Sequence, residues 1–271
     1  MPRAQIGSLT LDYTECGTGV PVIFIPGITE FKEAFTFQYR GLEDGYRIVG
    51  YDVRRGLKRS TDYTLDLLVE DLRKLLDVLS LGNAVICGHS FGGLIAMNFA
   101  ARYPEVTDAL ILVSAFASPP PVPQDRLISW ISSAVHPFHR SLGTSFKVQM
   151  ARLLGRKTSN VLAMQDQVQA VRILAHQAAK TSPTTVTQRL RIIQKTDLRD
   201  ALPHVAAPTL VIAGSKDKPF FLSSAQELYE RIPKASLEVI ENAGHFSFLT
   251  RHDQFNTLVD DFLTEHLAEI A

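Results

Sequence analysis

The sequence contains few cysteines, no excess of charge of either sign and no long apolar run. Its 271 residues include two cysteines, Cys16 and Cys87, and Cys87 belongs to the apolar run AVIC at residues 84–87. A small disulfide-stabilised scaffold is therefore excluded. Basic and acidic side chains number 28 each. Because a neutral chain has no net attraction for polyanions, we expect no nucleic acid and no membrane surface as partner, and a small molecule instead.

The sequence also shows no targeting or membrane-spanning pattern. The first residues, MPRAQIGSLTLDYTECG, alternate between polar and apolar types and lack the apolar core of a signal peptide. No stretch is apolar over the length that a bilayer requires. We therefore expect a cytoplasmic protein, whose oligomeric state the sequence does not indicate.

What the sequence does contain is a regular alternation of apolar runs and amphipathic stretches. After an opening hairpin (SLTLDYTE, then GTGVP), buried strands are predicted near residues 22–25, 47–52, 84–87, 109–115, 208–217 and 236–241. Helices are predicted near residues 64–81, after Gly93, and near 223–231 and 253–267. Such alternation predicts an α/β fold, with a mostly parallel central sheet flanked by helices.

The alternation is interrupted between residues 117 and 206. This stretch begins with SPPPVP, contains Trp130 and several helix-like segments, and has no convincing buried strand. We interpret it as an inserted helical cap or lid on a core formed by residues 1–116 and 207–271. Trp130 either lines an apolar substrate pocket or belongs to the cap's own core. His136 and His139 lack a third ligand at metal-binding spacing, so a surface or packing role is expected.

The stretch CGHSFGG, residues 87–93, carries the clearest chemical signal. Gly88, Ser90 and Gly92 match the pattern GxSxG between a predicted strand and a predicted helix, where small residues permit a tight turn that exposes the serine hydroxyl. Serine is a poor nucleophile at neutral pH unless a base, oriented by a third group, lies within hydrogen-bond reach. The motif therefore predicts a histidine and a carboxylate farther along the chain.

Candidates for both partners follow later strands. Asp217 comes one loop after LVIAG, and His245 comes one loop after LEVIE, in the order serine, acid, histidine that this kind of site uses. Asp197 or Asp200, near the end of the predicted cap, could replace Asp217 as the acid.

GHSFGG, GSKDKPF and NAGHF occur in this order with a cap region between the first two, and on these motifs the chain resembles the α/β-hydrolase superfamily, in its lidded serine esterase-like branch. The similarity covers essentially the whole length. It implies Ser90 as nucleophile, His245 as general base and acid, and Asp217 as the carboxylate that orients His245.

The resemblance also implies two backbone donors for an oxyanion hole, the N–H groups of Phe91 and Ile28. Ile28 follows Pro26-Gly27, where relatives usually carry His-Gly. Because of this departure, the sequence does not indicate which side chain holds the loop after residues 22–25 in place. A second departure is the loop VRRGLKRS, which has one glycine instead of two and is about one residue longer.

Three further polar residues near these motifs are expected to be structural. His89 should point away from Ser90 and pack between sheet and helix. Glu30, just after the predicted oxyanion turn, is expected to be a solvated loop carboxylate, with contact to a polar group of the substrate as the alternative. Asp52 is expected to brace its own loop by pairing with Arg54 or Arg55.

The predicted function is hydrolysis of a carboxylic ester or lactone of a small, largely apolar substrate through an acyl-enzyme on Ser90. No metal or organic cofactor is needed for this chemistry. Alternatives that the sequence leaves open are hydrolysis of a carbon–carbon bond or perhydrolysis by the same triad, and a small-molecule receptor on the same fold without turnover.

Overall fold

The computed structural model describes residues 2–120 and 167–267, which form one central sheet covered by helices on both faces. The strands are β1 (Arg3–Ile6), β2 (Leu9–Cys16), β3 (Val20–Ile25), β4 (Tyr46–Tyr51), β5 (Ala84–His89), β6 (Thr107–Val113), β7 (Thr209–Gly214) and β8 (Ala235–Ile240). We number the helices of the described residues α1 (Thr36–Leu42), α2 (Leu65–Val78), α3 (Phe91–Arg102), α4 (Gln167–Lys180), α5 (Pro183–Lys195), α6 (Pro219–Arg231), α7 (Ser247–Thr250) and α8 (His252–Leu267). None of the helices in these ranges is both long enough and apolar enough to cross a bilayer.

The eight strands lie in the order β1-β2-β4-β3-β5-β6-β7-β8. β1 and β2 form an antiparallel hairpin that turns at Gly7 and Ser8, whereas the sequence predicted the turn at GTGVP, residues 17–21, which instead connects β2 to the non-adjacent β3. β2 pairs antiparallel with β4, and all later neighbours are parallel. The predicted α/β fold with a mostly parallel sheet is confirmed. Because the carboxyl ends of parallel strands share one edge of the sheet, the loops after β3, β5, β7 and β8 meet there.

The central strands are buried on both faces. In β3, Ile23 and Ile25 pack into a core that includes residues of α2, α3, α5 and α6, whereas Val22 and Phe24 pack into a second core with residues of α1, α4, α7 and α8. All four side chains are fully buried. Since neighbouring side chains of a strand point to opposite faces, burial on both sides requires the continuous apolar runs seen in the sequence.

Two helices begin earlier than the sequence predicted. The helix after the serine motif begins at Phe91, so its first turn contains Gly92 and Gly93, whose low helix propensity concealed it. α6 begins at Pro219 instead of about Ser223, because a proline fits the first position of a helix, where no intrahelical N–H bond is lost. The short α1 had no counterpart among the predicted elements.

The predicted cap is described in part. Residues 121–166, and with them Trp130, His136 and His139, lie outside the described residues. Of the remainder, residues 167–195 form α4 and α5, and no strand occurs in the described part of 117–206. The division into core and cap stays a prediction.

Candidate active site

Ser90 lies in the turn between β5 and α3 and has a left-handed backbone, with φ 51° and ψ −113°. Non-glycine residues rarely adopt positive φ, and such strain is concentrated at functional sites. The turn is fixed on both sides: the N–H of Ser90 donates to the carbonyl of Val113 at 2.9 Å, and the N–H of Gly93 donates to the carbonyl of Ser90 at 2.9 Å. Ser90 is thereby held at the carboxyl edge of the sheet.

The glycines on either side of Ser90 are required by close approach of the backbone. A Cβ on Gly88 would lie 2.5 Å from the carbonyl oxygen of Gly92, and a Cβ on Gly92 would lie 2.3 Å from the carbonyl oxygen of Ile25. Both distances are far below van der Waals contact, so no larger residue fits without moving the backbone. The GxSxG spacing thus reflects how tightly α3 packs against the end of β3.

Asp217 and His245 lie in the loops after β7 and β8, where they form a hydrogen bond. Nδ1 of His245 is 2.9 Å from Oδ2 of Asp217. The other carboxylate oxygen of Asp217 accepts from the N–H of Lys218 at 2.7 Å. Burial alone raises the pKa of Asp217, but the hydrogen bond and charge of His245, helped by Lys218 and Ser114, outweigh burial and hold this pKa below its ordinary value.

Asp197 and Asp200, the two alternative candidates for the acid that orients His245, form contacts with other residues. Asp197 pairs with Arg199 at the surface, and this contact lowers the pKa of Asp197 to about 2. Asp200 uses its backbone carbonyl to bind His204. The structure therefore brings Asp217, and neither of the two alternatives, into hydrogen-bond contact with His245.

His89 links the serine turn to the loop of His245. Nε2 of His89 is 3.0 Å from the backbone carbonyl oxygen of His245, and the two rings lie 4.9 Å apart between centroids. His89 is fully buried, which agrees with its expected packing role. Because His89 directly precedes Ser90, this contact brings Ser90 and His245 to the same part of the sheet edge.

Glu30 is not the solvated carboxylate that the sequence predicted. Only 4% of Glu30 is exposed, its Oε2 accepts from the N–H of Gly27 at 3.0 Å, and its Oε1 lies 2.9 Å from Nδ1 of His89. Since these contacts hold the loop after β3, Glu30 supplies the bracing that the Pro26-Gly27 departure had left open. A side chain at Gly27 would require the carboxylate of Glu30 to shift, because a Cβ there would lie 2.4 Å from Oε1.

The predicted pairing of Asp52 with Arg54 or Arg55 is also wrong. Asp52 accepts from both the backbone N–H and the Nζ of Lys32, at 2.9 and 3.1 Å. Arg54 instead binds Asp71 of α2 through two bonds of 2.6 Å. The reason is topological: Lys32 follows β3, the parallel neighbour of β4, so its loop leaves the sheet beside Asp52.

The two N–H groups expected to form an oxyanion hole have no protein acceptor among the described residues. Ile28 donates no hydrogen bond to another described residue, and Phe91 is the first residue of α3, where an N–H has no partner within the helix. The positive end of the α3 dipole adds to the attraction for an anion at this point. The start of α3 directly after Ser90 is therefore favourable for negative charge, and the oxyanion hole formed by Ile28 and Phe91 stays a prediction.

Aromatic rings lie beside His245. The ring of Phe221 is 4.2 Å from the ring of His245, and Phe221 contacts both Phe220 and Phe116 at 5.1 and 6.0 Å between centroids. Phe220 and Phe221 are half-buried. They give the surroundings of His245 an apolar character.

Among the buried polar residues that the sequence did not predict at this edge is Arg189 of α5. Val186, Leu190 and Ile193 form the buried stripe of this helix at the usual spacing, and Arg189 falls on the same stripe with 3% of its surface exposed. A charged residue at an apolar position of a helix was the signal that could have identified it.

Comparisons with known proteins agree with this architecture. A family model described as the alpha/beta hydrolase fold matches residues 20–252. The AB hydrolase superfamily protein YisY of Bacillus subtilis is 27% identical over 264 residues, covering 94% of this chain and 95% of its own. Two solved structures are each 25% identical to this chain. One is an esterase of Exiguobacterium antarcticum, with a TM-score of 0.79, and the match covers 96% of this chain and 98% of the esterase. The other is a bromoperoxidase of Bacillus anthracis, with a TM-score of 0.78, and the match covers 97% of this chain and 99% of the bromoperoxidase. With a family match over most of its length and the sheet and serine turn described above, the chain belongs to the α/β-hydrolase fold family.

Proposed function

We propose that the protein is a serine hydrolase that cleaves a carboxylic ester or lactone of a small, largely apolar substrate. The observation that carries the proposal is the 2.9 Å hydrogen bond between His245 and Asp217, at the sheet edge that also holds the strained Ser90. The similar esterase structure supports an ester substrate, and the rings of Phe116 and Phe221 support an apolar one.

Each residue has a distinct role in the proposed reaction. His245 removes the proton from Ser90 Oγ, which attacks the carbonyl carbon, and then returns that proton to the leaving alcohol. Asp217 accepts the Nδ1–H of His245, so that Nε2 is the nitrogen available as base. The N–H groups of Ile28 and Phe91 bind the oxyanion. Water then attacks the acyl-enzyme by the same route and releases the acid.

The test is turnover of p-nitrophenyl esters of increasing chain length by wild type and Ser90→Ala. We expect the substitution to reduce kcat by roughly ten thousand-fold or more, because the nucleophile is removed. Ser80→Ala is the matched control, since Ser80 also has a left-handed backbone, with φ 50°, but lies exposed after α2. Turnover that survives in Ser90→Ala would rule out Ser90 as the nucleophile. Saturable ligand binding without any turnover would favour the receptor alternative.

Perhydrolysis is a second candidate, supported by the similarity to a bromoperoxidase structure. It would use the same residues, with hydrogen peroxide in place of water as the acceptor of the acyl group. Adding hydrogen peroxide to the ester assay distinguishes the two, because perhydrolysis releases a peracid, whereas hydrolysis releases the carboxylic acid at a rate that peroxide does not raise.

A further inference from the structure

Arg189 is a buried cation that contacts the loops around the candidate oxyanion hole. It lies on α5, and its guanidinium donates to five neutral oxygens: the carbonyls of Ile28 (2.8 Å), Val53 (3.0 Å), Gly27 (3.4 Å) and Arg54 (3.4 Å), and the hydroxyl of Tyr63 (3.2 Å). Within the described ranges, no carboxylate is among its hydrogen-bond partners.

Apolar packing of α5 does not require a charge at this position. Burying a cation costs free energy, and neutral carbonyl and hydroxyl partners compensate that cost less fully than a carboxylate does. The neighbouring Leu190 and Ile193 fill the same face of α5 with apolar side chains. The planar guanidinium of Arg189 provides several rigidly arranged N–H donors, which hold several carbonyls at once. An aliphatic residue cannot do this.

The contact with Gly27 helps to fix the direction of the N–H of Ile28. These two groups belong to one peptide unit, and that unit is trans, so its C=O and N–H point in opposite directions. The carbonyl faces Arg189 and also accepts from the N–H of Glu30 at 3.3 Å. The N–H of Ile28 is thereby directed away from α5. A hydrogen bond accepted by a peptide carbonyl also polarises the N–H of the same unit, which makes it a better donor.

The same guanidinium lies against the residue that carries the second donor. Its Cζ is 5.5 Å from the centre of the Phe91 ring, a distance at which a cation attracts an aromatic face. Phe91 is the first residue of α3 and follows Ser90 directly. One side chain from α5 thus contacts both residues whose N–H groups would bind an oxyanion.

We propose that Arg189 is a positioning residue for the oxyanion hole, holding the Gly27–Ile28 peptide unit and the ring of Phe91 in the arrangement that receives the developing negative charge. The inference rests on the proposed function, because it needs a reaction that passes through an oxyanion. It gives α5, which belongs to the predicted cap, a part in transition-state stabilisation.

The adjacent Gln188 offers a matched control for the docking of α5. Gln188 is 2% exposed and forms two bonds with the backbone of Leu57, at 2.9 and 2.7 Å, in the loop after β4. Its removal should loosen the docking of the same helix, because Gln188 holds the loop after β4 as Arg189 does. It has no bond to Gly27, Ile28 or Phe91 among the described residues, so it separates helix docking from control of the oxyanion hole.

The kinetic test compares Arg189→Met and Gln188→Met with wild type on a p-nitrophenyl ester. We expect Arg189→Met to lower kcat by up to about 100-fold with little change in KM, because misplaced donors weaken binding of the transition state more than binding of the substrate. Inhibition by a trifluoromethyl ketone, which forms a tetrahedral oxyanion on the serine, should weaken by the same factor as kcat/KM. Gln188→Met should change kcat and inhibition much less. Equal losses in both variants, or a loss confined to KM, would overturn the proposal.

Labelling with a fluorophosphonate separates failure of this inference from failure of the proposed function. Phosphonylation of Ser90 uses the nucleophile and the oxyanion hole but does not require that the protein hydrolyse any ester. If wild type is labelled, and Arg189→Met is labelled much more slowly than Gln188→Met, the positioning role is supported even if no ester substrate is found. Wild type that is labelled no faster than Arg189→Met contradicts the role of Arg189 alone. Wild type that is labelled no faster than Ser90→Ala contradicts both proposals.

Discussion

Two pairs of histidine and carboxylate lie side by side in this protein and differ in their surroundings. In one pair Nδ1 of His245 is 2.9 Å from Asp217, and in the other Nδ1 of His89 is 2.9 Å from Glu30. The two imidazole rings are 4.9 Å apart. The side chain of His245 is 15% exposed, whereas that of His89 is fully buried. Both pairs join a histidine to a carboxylate, and they differ in whether solvent can reach the histidine.

The two histidines also differ in what their second ring nitrogen, Nε2, contacts. Nε2 of His89 faces the backbone carbonyl of His245, so both of its nitrogens are occupied by oxygens within the protein. For His245 the structure gives a partner to Nδ1 only, among the described residues. A histidine with one free nitrogen can move a proton to or from a substrate, whereas one with both nitrogens bound can only hold its neighbours in place. The pair of Glu30 and His89 is therefore structural support for the pair of Asp217 and His245.

The largest expected effect comes from breaking the accessible pair with Asp217→Asn. The amide can donate to Nδ1 of His245, which stabilises the tautomer with its proton on Nε2 and removes the base from Ser90. We expect kcat for ester hydrolysis to fall by about ten thousand-fold. Steady-state kinetics measure the loss, and circular dichroism checks that the fold is retained.

The matched control for this substitution is Asp197→Asn. Asp197 was the competing candidate for the acid, and its pairing with Arg199 lies at the surface. Its replacement should leave kcat within experimental error. Comparable losses in the two variants would mean that Asp217 is not the orienting acid.

A smaller effect is expected from breaking the buried pair with Glu30→Gln. The amide keeps the shape of the side chain but loses the charge that pairs with His89 and weakens the bond to the N–H of Gly27. We expect the free energy of unfolding at pH 7 to fall by about 1–3 kcal/mol and kcat to fall far less than in Asp217→Asn. Urea unfolding measures the first quantity. Glu33→Gln, in the same loop but 45% exposed, should change stability by less than about 1 kcal/mol.

The contrast between the two pairs also explains how far the sequence could predict the site. Ser90, and the strand and helix that flank it, were recognisable because their signals are local: a buried strand, two glycines and a helix follow one another within a few residues. The placement of Asp217 and His245 one loop beyond later strands follows from the same alternation. In a parallel sheet such positions converge at one edge whatever the intervening sequence, so local patterns were sufficient to predict that Asp217 and His245 meet, while the catalytic roles of these residues stay a prediction.

Glu30 and Asp52 were misjudged because their partners are distant in sequence. Glu30 binds His89, 59 positions away, and Asp52 binds Lys32, 20 positions away across two parallel strands. A carboxylate followed by arginines, as in DVRR, suggests a local pair, but the chain direction at the end of β4 carries Arg54 toward Asp71 instead. Burial of a charged group depends on such tertiary partners, and periodicity does not reveal them.

The smallest expected effect, and the most specific to the buried pair, is the pH dependence of its contribution to stability. Burial alone raises the pKa of Glu30, but the charge and hydrogen bond of His89 and the N–H of Gly27 outweigh it and bring this pKa below its ordinary value, which is about 4.3 in an unfolded chain. The folded protein therefore binds fewer protons at Glu30 than the unfolded chain does. Its contribution is complete above about pH 4.3 and is lost as the pH falls through the folded-state pKa.

Comparison of wild type with Glu30→Gln measures the contribution of the pair of Glu30 and His89, because the titrating groups outside this pair are common to both proteins. We expect the difference in their free energies of unfolding, measured in urea at a series of pH values, to shrink as the pH falls below about 4. A difference that stays constant or widens on the acid side would mean that the carboxyl of Glu30 is already protonated in the folded protein at neutral pH. In that case His89 would be held by a neutral hydrogen bond, and the two pairs would differ in charge as well as in access.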